Sequence, residues 1–122
     1  MSARLSTRFE VVRDCPLLHL SGILDGTTSP RFREDASQLV ASGYKQLVLD
    51  FSEVTMMDSS GLGALIHLFR SIQEQGGQFL WVAACPPGVR SLLEVTHIDR
   101  QIRCFETVSS AIEAFRMARY KS

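Results

Sequence analysis

A chain of 122 residues with 13 Lys plus Arg against 13 Asp plus Glu has the size of one compact domain and no excess positive field to draw it onto nucleic acid or anionic lipid. One domain over residues 1–122 is therefore the default expectation, with another protein or a small molecule as its partner. No apolar run approaches the roughly 20 residues of a membrane helix, and the opening MSARLSTRFE lacks the apolar centre of a signal peptide, so a cytoplasmic location is expected.

Taken in chain order, Arg8 to Val12 and Leu17 to Leu20 read as two short strands, and Arg13-Asp14-Cys15-Pro16 as the break of a hairpin. After a loop from Gly22 to Ser29, Pro30 stands at a first helical position. Phe32, Ala36, Leu39 and Val40 recur at helical spacing until Gly43 supplies the stop. Gln46 to Phe51 carries the continuous Leu47-Val48-Leu49 centre of a strand covered on both faces. Leu62, Leu65, Ile66, Phe69 and Ile72 then form the apolar stripe of a second helix, ended by Gly76-Gly77. Gln78 to Ala84 repeats the buried-strand signature, and Pro86-Pro87 opens a short helix with Val89, Leu92 and Leu93. A weak strand at Ile102 to Phe105 precedes a last helix with Val108, Ala111, Ile112, Phe115 and Ala118 on one side. Arg116, Arg119 and Lys121 lie near its end, where cations suit the dipole. The three cysteines, Cys15, Cys85 and Cys104, are odd in number and set among apolar neighbours, as reduced packing side chains are.

Strands alternating with helices imply right-handed crossovers, hence an α/β domain with a mostly parallel mixed sheet of about five strands and about four helices. In such sheets functional groups gather at the carboxyl ends of the strands, where Gly22 to Ser29 and Thr55 to Ser60 lie.

The second of these loops holds the motif Met56-Met57-Asp58-Ser59-Ser60-Gly61-Leu62-Gly63, at the turn from strand to helix. Asp58, Ser59 and Ser60 are all good N-cap residues, because each short side-chain oxygen can accept from a backbone N–H left unpaired in the first turn. Gly61 and Gly63 allow close backbone approach there. Asp25, with Thr27 and Thr28, either lines the same edge or supports its own loop, and Thr27, Thr28 and Ser29 can equally cap the first helix. At least one of Met56 and Met57 is expected to fill the core.

The run LVLDFSEVTMMDSSGLGALI resembles the signature of the bacterial anti-sigma-factor antagonists of the STAS domain family. The pattern Leu18-His19-Leu20-Ser21-Gly22-Ile23-Leu24-Asp25 and the later Gly-Gly turn before a strand extend the likeness over nearly the whole chain. The resemblance implies a STAS-like fold in which Ser59, directly after the Asp, is phosphorylated by an anti-sigma factor that is also a Ser protein kinase. The unphosphorylated antagonist binds that kinase and frees a sigma factor; the phosphorylated one lets go, and a Ser phosphatase restores it. A partner on this edge would meet Asp25, Thr27 and Thr28 together with Met56, Met57, Asp58, Ser60, Gly61 and Leu62. Many members carry an acid where this chain has Ile23, which touches the partner contacts. No cofactor, metal, nucleic acid or membrane is expected, and the chain is expected as a monomer or weak dimer. Rival readings are a STAS scaffold that is never phosphorylated and a module that senses a nucleotide or lipid through the Gly22 to Ser29 loop.

Enzyme readings find little support. Ser59 and Ser60 are not on a Gly-x-Ser-x-Gly elbow, and His19, His67 and His97 show no pattern that would complete a hydrolase. Phosphate-loop, dinucleotide and metal spacings are missing from the sequence. His19 is expected as a surface strand residue, His67 as facing out or lying at the margin of its helix, and His97 in a loop.

Overall fold

In the computed structural model, which describes residues 4–77 and 79–120, the chain reverses first at Arg13 and Asp14, whose φ values of 51° and 67° are left-handed. A two-residue turn of that hand matches the twist of the strands it joins, β1 (Leu5–Val12) and β2 (Cys15–Leu24). Cys15 and Pro16, read from the sequence as part of the break, belong to β2. Pro16 is tolerated because the ladder to the next strand begins only at Leu17. Gly22, Ile23 and Leu24, read as loop, are also strand. Irregular register on either side of Ser21 and Gly22 bends β2, and Gly22 has a φ of 113° that favours glycine.

The chain continues through α1 (Ser29–Ala41), β3 (Gln46–Met57), α2 (Ser59–Glu74), β4 (Phe79–Ala83), α3 (Pro87–Val95), a 3-10 turn over Ile98–Arg100, β5 (Arg103–Phe105) and α4 (Val108–Tyr120). The strands lie in the order β1-β2-β3-β4-β5; β1 pairs antiparallel with β2, and every later pair is parallel. This is the mostly parallel mixed sheet that the alternation of strands and helices implies. Gln78, Lys121 and the side chain of Arg119 lie outside the described residues.

Both faces of the sheet are apolar over its middle. Leu18, Leu49 and Val82 point to one face and share a cluster with Phe32 of α1, Leu65 of α2 and Leu93 of α3. Leu17, Val48 and Ala83 point to the other, against Ala111 and Phe115 of α4. Burying a side chain such as Phe32 or Leu65, both fully covered, contributes about 1.5–3 kcal/mol each. The buried stripe of α2 runs through Leu62, Leu65, Leu68 and Ile72, while Ile66 and Phe69 are only half-buried at its margin. The spacing alone does not separate the two stripes, since both recur every three or four residues.

Candidate functional site

β3 is longer than its apolar centre suggests and runs to Met57, leaving Asp58 alone between strand and helix. Alternation along the strand then separates the two methionines: Met57 is buried, and Met56 faces outward with 45% of its surface exposed. Asp58 is the N-cap of α2. Its backbone is extended, and its Oδ1 accepts from the amides of Ser60 at 2.9 Å and Gly61 at 3.2 Å. The acid therefore takes the structural task that any of the three polar residues could have filled. Ser59 and Ser60 become the first helical residues, both exposed, and among the described residues neither hydroxyl has a hydrogen-bond partner.

Gly61 holds this start of α2 against the end of β2. A Cβ there would come within 2.6 Å of the Leu24 carbonyl oxygen and 2.7 Å of the Met57 side chain, closer than packed atoms approach. The Asp58 amide donates to the same Leu24 carbonyl at 3.3 Å. The two strand ends are thus locked edge to edge, and the loops that follow them lie side by side.

In the loop after β2, Asp25 is spent largely on its own turn. Its Oδ1 accepts from the amides of Thr27 at 2.9 Å and Thr28 at 3.2 Å, and its Oδ2 accepts from Arg4 Nη2 at 2.6 Å. Burial works to raise its carboxyl, but those two amides and the Arg4 guanidinium outweigh it and leave the carboxyl below its usual range. Thr28 sits at the N-cap of α1 without capping it through its side chain; its hydroxyl accepts from the Asp25 amide and donates to the Ile23 carbonyl. Ser29, offered by the sequence as another cap, instead donates its hydroxyl to the Asp25 carbonyl.

Between the two loops lies an open groove of about 410 Å³, lined by Gly26, Pro30 and Arg33 on one side and Ser59, Ser60 and Gly63 on the other, with Ser29 at its base. Of the residues named above for partner contact, Thr27, Met56 and Ser60 are exposed and Asp58 is half-buried. Asp25, Thr28, Met57, Gly61 and Leu62 are buried and shape the edge from beneath. A family model of the STAS domain matches residues 6–111. The chain belongs to the STAS domain family. It is similar to the anti-sigma F factor antagonist of Paenibacillus polymyxa, with 27% identity over 109 residues, 88% of this chain and 92% of that one. It is also similar to an anti-sigma factor antagonist of Mycobacterium paratuberculosis solved by crystallography, at a TM-score of 0.83 and 26% identity over 95% of this chain and 99% of that one. SpoIIAA shares the fold in its unphosphorylated form, at a TM-score of 0.76 and 23% identity over 91% of this chain and 96% of that one. Its phosphorylated form from Bacillus does so at 0.70 and 21%, over 90% and 99%.

Two side-chain groupings of this STAS domain escaped the sequence reading. His19 is not a plain surface residue: its Nδ1 lies 2.6 Å from Asp50 Oδ2 and its Nε2 lies against Glu10 Oε2, so one ring bridges three strands on the sheet face left open beyond α4. Ionised carboxylates only accept, so both bonds form together when the ring carries both hydrogens. Burial works to raise Asp50, but the Ser52 amide and His19 hold it below its usual range; for Glu10 the His19 bond is the leading cause of a lowered carboxyl. The only signal for this cluster is the strand register, which sets His19 directly opposite Asp50. The second grouping is Cys85 and Cys104, neighbouring thiols where β5 joins β4, whose interaction raises Cys85 and lowers Cys104. All three cysteines are free, and burial pushes Cys15 up to about 11. His67 and His97 are exposed, and His97 precedes the 3-10 turn with left-handed backbone. Among the described residues no group of three His, Cys, Asp or Glu side chains could hold a metal ion, and no helix is long and apolar enough to cross a membrane.

Proposed function

We propose that this STAS domain is an anti-sigma factor antagonist whose binding is switched by phosphorylation of Ser59. The observation that carries the reading is the division of labour at the start of α2: Asp58 caps the helix, and Ser59 is left exposed with an unpartnered hydroxyl beside an open groove. The likeness to named anti-sigma factor antagonists supports it.

Unphosphorylated, the edge made by Thr27, Met56, Asp58 and Ser59 docks on an anti-sigma factor that is also a Ser kinase, and a sigma factor is freed. The kinase passes the terminal phosphoryl group of ATP to Ser59 Oγ, the hydroxyl proton leaves, and ADP is released. The modified residue carries about 1.5 to 2 negative charges and three acceptor oxygens at a helix start that favours anions, so the fold stays and the docking surface is lost. A phosphatase returns the serine by hydrolysis, releasing inorganic phosphate. The domain has no catalysis of its own in this reading; no histidine lines the groove beside Ser59.

The test is to incubate the chain with its cognate anti-sigma kinase and ATP and to map the phosphopeptide. One phosphate at Ser59, not Ser60, is expected, and the phosphoprotein should bind the kinase roughly 5- to 150-fold more weakly than the unmodified chain. Labelling of Ser59→Ala to the wild-type extent overturns the assignment, and equal affinity of both forms overturns the switch.

A further inference from the structure

We propose that Arg33 is the internal counter-ion of phosphoserine at position 59, drawing the phosphate into the groove between α1 and α2; this deepens the reading above and rests on Ser59 being the acceptor. Three observations lead there. Among the described residues lining the groove, Arg33 is the one that carries a charge, and it shares that groove with Ser59. Its side chain is exposed, and among the described residues it pairs with no carboxylate, so nothing in the fold already uses its charge. Its guanidinium lies over α2: Nη2 is 3.7 Å from where a Cβ on Gly63 would stand.

That last distance locates the cation relative to Ser59. Gly63 follows Ser59 by one helical turn, and such positions are about 5–6 Å apart on the helix surface. The space between is clear, because Gly63 has no side chain and Gly26 opposite has none either. A phosphate extends two bonds beyond Oγ and points its oxygens across the same gap. The planar guanidinium can then donate two N–H groups to one phosphate, a geometry that a Lys point charge does not match. The consequence for regulation is directional: the pair fixes the bulky phosphate beside Ser59 at the rim of the docking edge, and the paired phosphate is less open to the phosphatase's attacking water.

The test installs phosphoserine at position 59 during synthesis of the full chain, so that no kinase is needed, and follows the phosphorus resonance with pH. The free phosphoserine second ionisation lies at about 6. In the wild-type background it should fall about half a unit below that of the Arg33→Gln chain, a shift sized for a partly exposed pair. Arg33→Lys should lie between the two, and raising the salt concentration should narrow the gap. Arg31→Gln, which removes an exposed cation of the same helix that does not line the groove, should titrate as wild type. An unchanged ionisation in Arg33→Gln, or an equal shift in Arg31→Gln, overturns the proposal. Either result would leave the kinase mapping untouched, just as a failed mapping would leave this titration readable.

Discussion

The amide of Ser60 donates to the carboxylate of Asp58 at 2.9 Å, and by closing the cap of α2 this bond releases both serine hydroxyls from structural duty. An acid followed by two hydroxyl residues would otherwise be three competitors for one cap. The consequence reaches function directly, since a hydroxyl bound to a backbone amide is a poor acceptor for a phosphoryl group.

Removing the cap should cost stability without touching the acceptor. Asp58→Ala is expected to lower unfolding free energy by about 1 kcal/mol, within the usual range for an N-cap, and Asp58→Asn by less, since its side-chain oxygen can still accept. Urea denaturation of the three chains checks this; equal midpoints would mean that the cap is not what starts α2.

The two glycines of the motif should respond in opposite directions. Gly61→Val places a branched side chain where even a Cβ would stand 2.6 Å from the Leu24 carbonyl oxygen, and a cost of about 1 to 3 kcal/mol is expected. At Gly63 the nearest atom is Arg33 Nη2 at 3.7 Å, so Gly63→Ala should stabilise the helix by about 0.5 to 1 kcal/mol. Thermal unfolding of the pair reads both, and a stabilised Gly61→Val would refute the close approach.

Acid should weaken the fold through particular carboxyls. Asp25 and Asp50 have carboxyls held below their usual range when folded, so each stabilises the native state fully above about pH 5 and loses that contribution as pH falls through about 4 toward the folded values. His19→Ala leaves the mostly buried Asp50 with Ser52 as its hydrogen-bond partner among the described residues and should cost about 1–3 kcal/mol at neutral pH. It should also flatten the acid dependence, because Asp50 then loses the His19 bond that favours its ionised form. Unfolding free energy measured from pH 7 to pH 3 in both chains decides the matter.

Charge mimics should reproduce the switch only in part. Ser59→Asp carries about one charge and lacks the third oxygen of a phosphate, so its loss of kinase affinity should fall short of the phosphoprotein's. Ser59→Ala should bind and resist release. Calorimetry with the kinase, alongside circular dichroism of the same samples, separates lost binding from lost fold.

Sequence by itself determined the order of elements, the buried centre of β3, the helical period of α2 and the placing of Asp58-Ser59-Ser60 at a strand-to-helix turn. All of these rest on local preferences: apolar period, glycine and proline punctuation, and the short list of residues that can cap. The strand ends were not legible, because Gly22 to Leu24 and Ser52 to Met57 continue as strand through pairing with each other rather than through their own composition. Only the tertiary structure decided which of three polar residues caps α2, which methionine faces out, and that Asp25 serves its own loop. The same holds for His19 between Asp50 and Glu10, Cys85 against Cys104, and Arg33 beside Ser59. The pairs His19–Asp50, Cys85–Cys104 and Arg33–Ser59 join residues far apart in the chain, and register and crossover geometry, which no local pattern encodes, brought them near one another.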